Sequence, residues 1–348
     1  MSEKQVLILI HGMGKHSADS FQEEVVTAAN NALSRYPSFA DVNFEDKVHI
    51  HSIGYDHIFE ALREKMAESG SDLQSFITAE IGGVNLPDFI GDLAGIQADL
   101  ADDEFLNTHV LDVVFYLTLL GERVRLYVAE KLLEFIQAHQ ETTRINVLAH
   151  SLGTAVMHDT LNKLYSEGFG DGVRLNKETQ PINTLWTFAN VSEVITKISG
   201  LTGPLKSVVK PGTGGCVAAF YNIFHRFDIF TMKAINRFDP KKNDNWVSGF
   251  IYDNAYGRYK TEKVSRKNTH SIQSYIEDPV VCHDLLNTLF DFQPSADERS
   301  QGDAAYANVQ SEFDKIKAFI ESADSYDDLN GLVKLIKAYK DYLGNLDF

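Results

Sequence analysis

Cysteine is scarce in this chain, with two in 348 residues, so no disulfide framework is available to hold it together. Cys216 and Cys282 have no metal-ligand spacing, and a chain of this length does not depend on one crosslink; both are expected as free thiols. Positive charge is short too. Lys and Arg number 32 against 49 Asp and Glu, a formal net charge of −17, and no basic cluster relieves it. Phosphate-backbone binding therefore lacks its electrostatic source, and no nucleic-acid partner is expected. Long apolar runs are also missing. The Val-Leu-Ile-Leu-Ile run at 6–10 is too short for a signal-peptide core and has no small-residue cleavage site after it. Nothing approaches the roughly 18 apolar residues of a spanning helix. The expectation is a cytoplasmic protein without a transmembrane segment, and its 44% hydrophobic content is ample for a packed core.

What is present is an alternation of two periods. The 6–10 run is apolar on both faces, as a central parallel strand must be when helices cover both sides of a sheet. Helical spacing follows over 21–36, then a strand over 47–53, which completes a β-α-β unit. Further strands are expected at 144–149, 183–189, 216–224 and 246–252, with a long amphipathic helix over 111–138. The pattern predicts an α/β fold: a doubly wound, mostly parallel sheet. Two stretches interrupt it. Residues 56–105 carry short helical pieces broken by glycines and read as a lid-like insertion with an apolar face at Ile81, Val84, Leu86, Phe89, Ile90 and Leu93. Residues 191–215 form a second, Gly/Pro/Ser/Thr-rich connection near the strand ends. The main domain is read as 1–292 and the remainder, 293–348, as a polar linker followed by C-terminal helices, with Leu332, Leu335, Ile336 and Tyr339 on one face.

The segment that carries chemistry is Val147-Leu-Ala-His-Ser151-Leu-Gly-Thr-Ala155, a buried strand turning sharply into a helix. A serine hydroxyl is a poor nucleophile unless it is exposed on such a turn and given a base. The turn crowds its neighbours, so small residues are required two before and two after the serine; Ala149 and Gly153 fill those places. His11-Gly12-Met13-Gly14 follows the first strand, where Gly12 and Gly14 let the backbone approach a carbonyl closely. An oxyanion hole is expected from the amides of Met13 and Leu152, with His11 and His150 in support. The glycine turn lacks the Gly-Lys-Ser/Thr of a P-loop and the third glycine of a dinucleotide site, so no nucleotide cofactor is expected.

An acid and then a histidine should follow the serine. Asp228 lies just past the 216–224 strand, and Asp239, before Pro240, is its competitor. His270 precedes a helix beyond the last strand, while His283 sits inside a helical run and His158 lies along the helix after Ser151. His49 and His51 share a strand face with His57 nearby but have no third ligand at usable spacing, so no metal is expected. Ser151, Asp228 and His270 are accordingly the candidate nucleophile, acid and base.

With those residues placed, the chain resembles the α/β-hydrolase superfamily over about 4–292, through His11-Gly12, the Ser151 turn, Asp228 and His270 in that order. It is also similar to intracellular lipase-like hydrolases, among them the DDHD-domain phospholipases. The likeness rests on His150-Ser-Leu-Gly-Thr154, Asp159-Thr-Leu161, Asp112-Val-Val-Phe-Tyr116 and Asn222-Ile-Phe-His-Arg-Phe-Asp228, with Ile229 where the family pattern has proline. The resemblance implies a lipase- or esterase-like enzyme acting on a small-molecule or lipid ester; the apolar face of the 56–105 stretch favours an acyl or aromatic group, and a serine mechanism needs no cofactor. Thioesterase, amidase and acyltransferase activities use the same constellation. A catalytically inactive scaffold binding a protein through the C-terminal helices is the reading from another class.

Overall fold

The computed structural model describes residues 5–12, 17–70, 111–139, 144–170, 172–192, 207–228, 230–231, 256–266 and 268–306, with scattered single positions besides. In chain order the elements are β1 (Gln5–Ile10), α1 (Ala18–Leu33), α2 (Phe44–Lys47), β2 (Val48–Ile53), α3 (Asp56–Ser69), α4 (Gly121–Ala138), β3 (Ile145–His150), α5 (Leu152–Tyr165), β4 (Ile182–Phe188), β5 (Val217–His225), β6 (Tyr256–Thr261), α6 (Ile272–Ile276), α7 (Pro279–Leu289) and α8 (Ala296–Ala305). The six strands make one sheet in the order β2-β1-β3-β4-β5-β6, every pair parallel. This is the doubly wound α/β arrangement that the alternating periods predict.

Strand alternation divides the core into two layers. Val6, Ile8, Ile10, Val147 and Ala149 face α3, α4 and α5 on one side, while Leu7, Leu9, Leu148, Trp186 and Phe188 face α1, α6 and α7 on the other. Helices α1 and α4 each present one apolar stripe to their layer: Phe21, Val25, Ala28, Ala29 and Ala32 on α1, and Val124, Val128, Leu132 and Phe135 on α4. A π-helical turn, Tyr116–Leu120, leads into α4.

The order of connection opens a crevice at one end of the sheet. From β1 the chain crosses to β2 on one side, then returns past β1 to β3 on the other, so the C-terminal ends of β1 and β3 flank a topological switch point, where open α/β sheets place their sites. The register levels those ends: Ile10 is opposite Ile53 and Ala149, His150 opposite Phe188, and Phe188 opposite Ile223.

Three expectations change. The first part of the 56–105 stretch is α3, whose Ile58 and Phe59 are buried in the sheet-covering layer; it is core helix, and 71–110 lie outside the described residues apart from one position. Most of the polar 294–302 segment lies in helix α8 (Ala296–Ala305), held by a capping box between Ser295 and Glu298. Its polarity reflects exposure: it binds through Ser38 Oγ to Glu298 and Tyr36 Oη to Asp303, with Gly302 against the Tyr36 ring. The sixth strand is β6 at 256–261, which the sequence pattern did not mark, whereas 246–252 lie outside the described residues. Both cysteines are buried and free.

Asp278 caps α7 by accepting from Val280 N–H at 2.9 Å, yet burial pushes its carboxyl up to about 6 from an ordinary 3.8. Below both values the folded and unfolded chains carry the proton alike; above about 6 the folded chain bears a carboxylate that its surroundings disfavour. Asp278→Asn keeps the capping oxygen and removes that cost. In urea unfolding the variant should gain on the order of 1–2 kcal/mol over wild type at pH 7.5 and nothing near pH 4. An equal difference at both pH values would contradict this.

Candidate active site

Ser151 stands between the last residue of β3 and the first of α5, with φ 54° and ψ −129°. For a non-glycine residue this left-handed backbone is strained by on the order of 1–3 kcal/mol, and its surroundings hold it there. Ser151 N–H donates to Phe188 O at the end of β4 (3.0 Å), and Thr154 Oγ1 and N–H both donate to Ser151 O. Val191 N–H then donates to Thr154 Oγ1 (3.0 Å), tying the turn to the segment after β4. Two glycines at this turn are required sterically. A Cβ on Gly153 would lie 2.3 Å from His11 O, and one on Gly12 2.4 Å from Ser151 Cβ. The His11-Gly12 turn and the Ser151 turn thus pack backbone to side chain.

The predicted acid and base meet this serine. His270 Nε2 is 2.9 Å from Ser151 Oγ, and His270 Nδ1 is 2.7 Å from Asp228 Oδ2. A carboxylate only accepts, so Nδ1 carries the proton and Nε2 is free to accept from the hydroxyl. Asp228 is wholly buried at the end of the turn after β5. Burial works to raise its carboxyl, but His270, the Tyr275 hydroxyl and the Phe230 amide (2.8 Å to Oδ1) outweigh it and hold the group below the ordinary carboxylate value. His270 is placed by three anchors: its N–H donates to Asn268 Oδ1 (3.0 Å), its carbonyl receives His150 Nε2 (2.8 Å), and the neighbouring Thr269 hydroxyl donates to Phe227 O (2.8 Å). The Phe230 ring lies 4.4 Å from the imidazole.

Leu152 is the first residue of α5, so its N–H has no acceptor within the helix and lies at the positive end of the helix dipole beside Ser151. Met13 and Gly14 lie outside the described residues. The turn before them is braced: Tyr55 Oη donates to His11 O (2.9 Å) and Gly12 O (3.3 Å), and the His11 ring stacks on Tyr55 with centroids 4.9 Å apart. His11 Nε2 is 2.9 Å from Asp56 Oδ2, close enough for an ion pair but without hydrogen-bond alignment.

The competing histidines are engaged elsewhere. His283 binds Tyr36 Oη and Asp303 Oδ1 where α7 meets α8. His158 lies on α5 against Asp159 Oδ1 and Ser207 Oγ, which fastens the 207–215 part of the second connection along α5, two turns beyond Ser151. The His51 ring stacks on Phe135, and the His49 ring lies near His139 at the sheet edge. Asp239 lies outside the described residues. Tyr275, Asn268 and Phe230 belong to the site without any mark in the sequence; Tyr275 is 47 residues from the carboxylate it binds, a separation no local pattern reports.

Compared with protein-family models, curated proteins and solved structures, the chain matches none. No described helix is long and apolar enough to cross a membrane.

Gly153→Ala should force β1 and α5 apart at a backbone contact. Urea denaturation is expected to show a loss of about 1–3 kcal/mol, the range for overpacking. A variant with wild-type stability would mean that the two turns are not in close apposition.

Proposed function

We propose that the protein is a serine hydrolase of the α/β-hydrolase fold that cleaves carboxylic esters through an acyl-enzyme on Ser151. The observation that carries the reading is the hydrogen-bonded chain Ser151 Oγ to His270 Nε2, His270 Nδ1 to Asp228 Oδ2, set on a strained strand-to-helix turn at the sheet's switch point.

His270 takes the Ser151 proton as Oγ attacks the ester carbonyl, and a C–O bond forms while the carbonyl electrons move onto oxygen. Asp228 keeps the imidazole in the tautomer able to accept and stabilises the imidazolium. The Leu152 amide, with that of Met13 in the same reading, receives the oxyanion; each such donor is worth about 3 kcal/mol. Collapse expels the alcohol, which leaves with the proton from His270. Water then attacks the acyl-enzyme with His270 again as base, releasing the acid and restoring Ser151. Phe230 beside the imidazole favours an acyl or aromatic ester over a charged one. Burial that pushes the Cys216 and Cys282 thiols up to about 12 and about 11 keeps both protonated and inert, so neither competes as nucleophile.

A panel of p-nitrophenyl esters from acetyl to palmitoyl tests the reading. Turnover should depend on pH through one acid limb, rising as His270 loses its proton, and should vanish in Ser151→Ala. Asp228→Asn should lower kcat by about 10³–10⁴-fold with KM nearly unchanged, because the wrong tautomer harms the transition state more than binding. Hydrolysis that survives Ser151→Ala would remove the assignment.

A further inference from the structure

We infer that Tyr275 is a positioning residue for the base, its hydroxyl governing how strongly Asp228 holds the His270 proton. This rests on the proposed hydrolase activity and adds a regulator to the same site.

Asp228 Oδ2 accepts from two donors at once, His270 Nδ1–H at 2.7 Å and the Tyr275 hydroxyl, while Oδ1 accepts from Phe230 N–H. Tyr275 comes from α6, which begins one residue after His270-Ser271, so base and phenol reach the carboxylate from the same segment. Burial and the neighbouring Asp228 hold the phenol well above its ordinary value, so it is always a donor. A donor on Oδ2 draws negative charge from the oxygen that stabilises the imidazolium. The phenol therefore competes with His270 for Asp228 and also fixes the carboxylate plane.

The other groups around the pair do not perform this task. His225, at the end of β5, is kept neutral by burial, and its ring is used by Lys263 O and Phe227 N–H. Thr231 donates to His225 O and also bonds the Tyr275 hydroxyl, and His150 bonds the His270 carbonyl with the two rings 4.9 Å apart, so neither reaches the Asp228 carboxylate. Arg226 and Glu262 pair with each other near the surface, and Lys260 joins them through Glu262. Among the described residues, Tyr275 and the Phe230 amide are the only donors besides His270 that hydrogen-bond the carboxylate side chain.

The test is the pH profile of kcat/KM for p-nitrophenyl ester hydrolysis. Tyr275→Phe keeps the ring and deletes the donor, so the midpoint of the acid limb should move up by about half to one pH unit as Oδ2 regains charge. In the same variant kcat should fall about three- to ten-fold as the carboxylate loses an anchor, with KM within about two-fold. Site-specific 3-fluorotyrosine at 275, a stronger donor of nearly the same size, should move the midpoint down; it also serves if the phenylalanine variant folds poorly. A purely structural tyrosine would lower the melting temperature and leave both midpoints in place, which would overturn the inference. A wild type without turnover would remove the hydrolase reading and this inference with it, whereas an active wild type with unmoved midpoints removes the role of Tyr275 alone.

Discussion

A carboxylate with no access to water must be matched by donors, and the organisation of this site depends on how Asp228 is matched. Two of its partners, His270 and Tyr275, come from the segment after β6, and the third is the Phe230 amide two residues on. Removing a partner from a buried charge costs far more than an exposed pair contributes. The turn after β5 and the segment after β6 are therefore locked to each other, with the Thr269 hydroxyl on Phe227 O adding a bond that carries no charge. The imidazole can point only where Asp228 directs it, which is towards Ser151.

Ser151 reaches the same point by a different constraint. Its left-handed backbone is maintained by strand register, since Phe188 O receives its N–H only because β3 and β4 end level. The glycines at 12 and 153 let the end of β1 pack against the start of α5 without a clash. Strain in the turn is thus balanced by ladder hydrogen bonds and by burial in two apolar layers, and the site inherits its rigidity from the sheet.

Much of this was legible in the sequence because it depends on local pattern. Both-face apolar strands at 6–10 and 144–149, a serine flanked by Ala149 and Gly153, and a carboxylate just past a strand end each have a short-range cause. The structure brings Ser151, Asp228 and His270 within hydrogen-bond reach. What was not legible depends on partners distant in the chain. Strand β6 is polar enough at Arg258 and Lys260 to escape a hydrophobic reading, as suits the last strand of the sheet among the described residues. The helix at 296–305 was hidden by its exposed composition and declared only by the Ser295–Glu298 cap. Residues 56–69 read as part of an insertion because Ile58 and Phe59 are too few to announce a core helix; half-buried Leu62 and Met66 complete its contact with the layer.

The most direct test of the central claim is covalent. Only a serine activated by its neighbours reacts readily with a fluorophosphonate, so intact-mass analysis of the whole protein should show one adduct, mapped by peptide analysis to Ser151. The adduct should be absent in Ser151→Ala and formed far more slowly in His270→Ala, while His283→Ala and His158→Ala label at the wild-type rate. Failure of the wild-type protein to label, or an adduct that persists in Ser151→Ala, would contradict the assignment of Ser151 as an activated nucleophile.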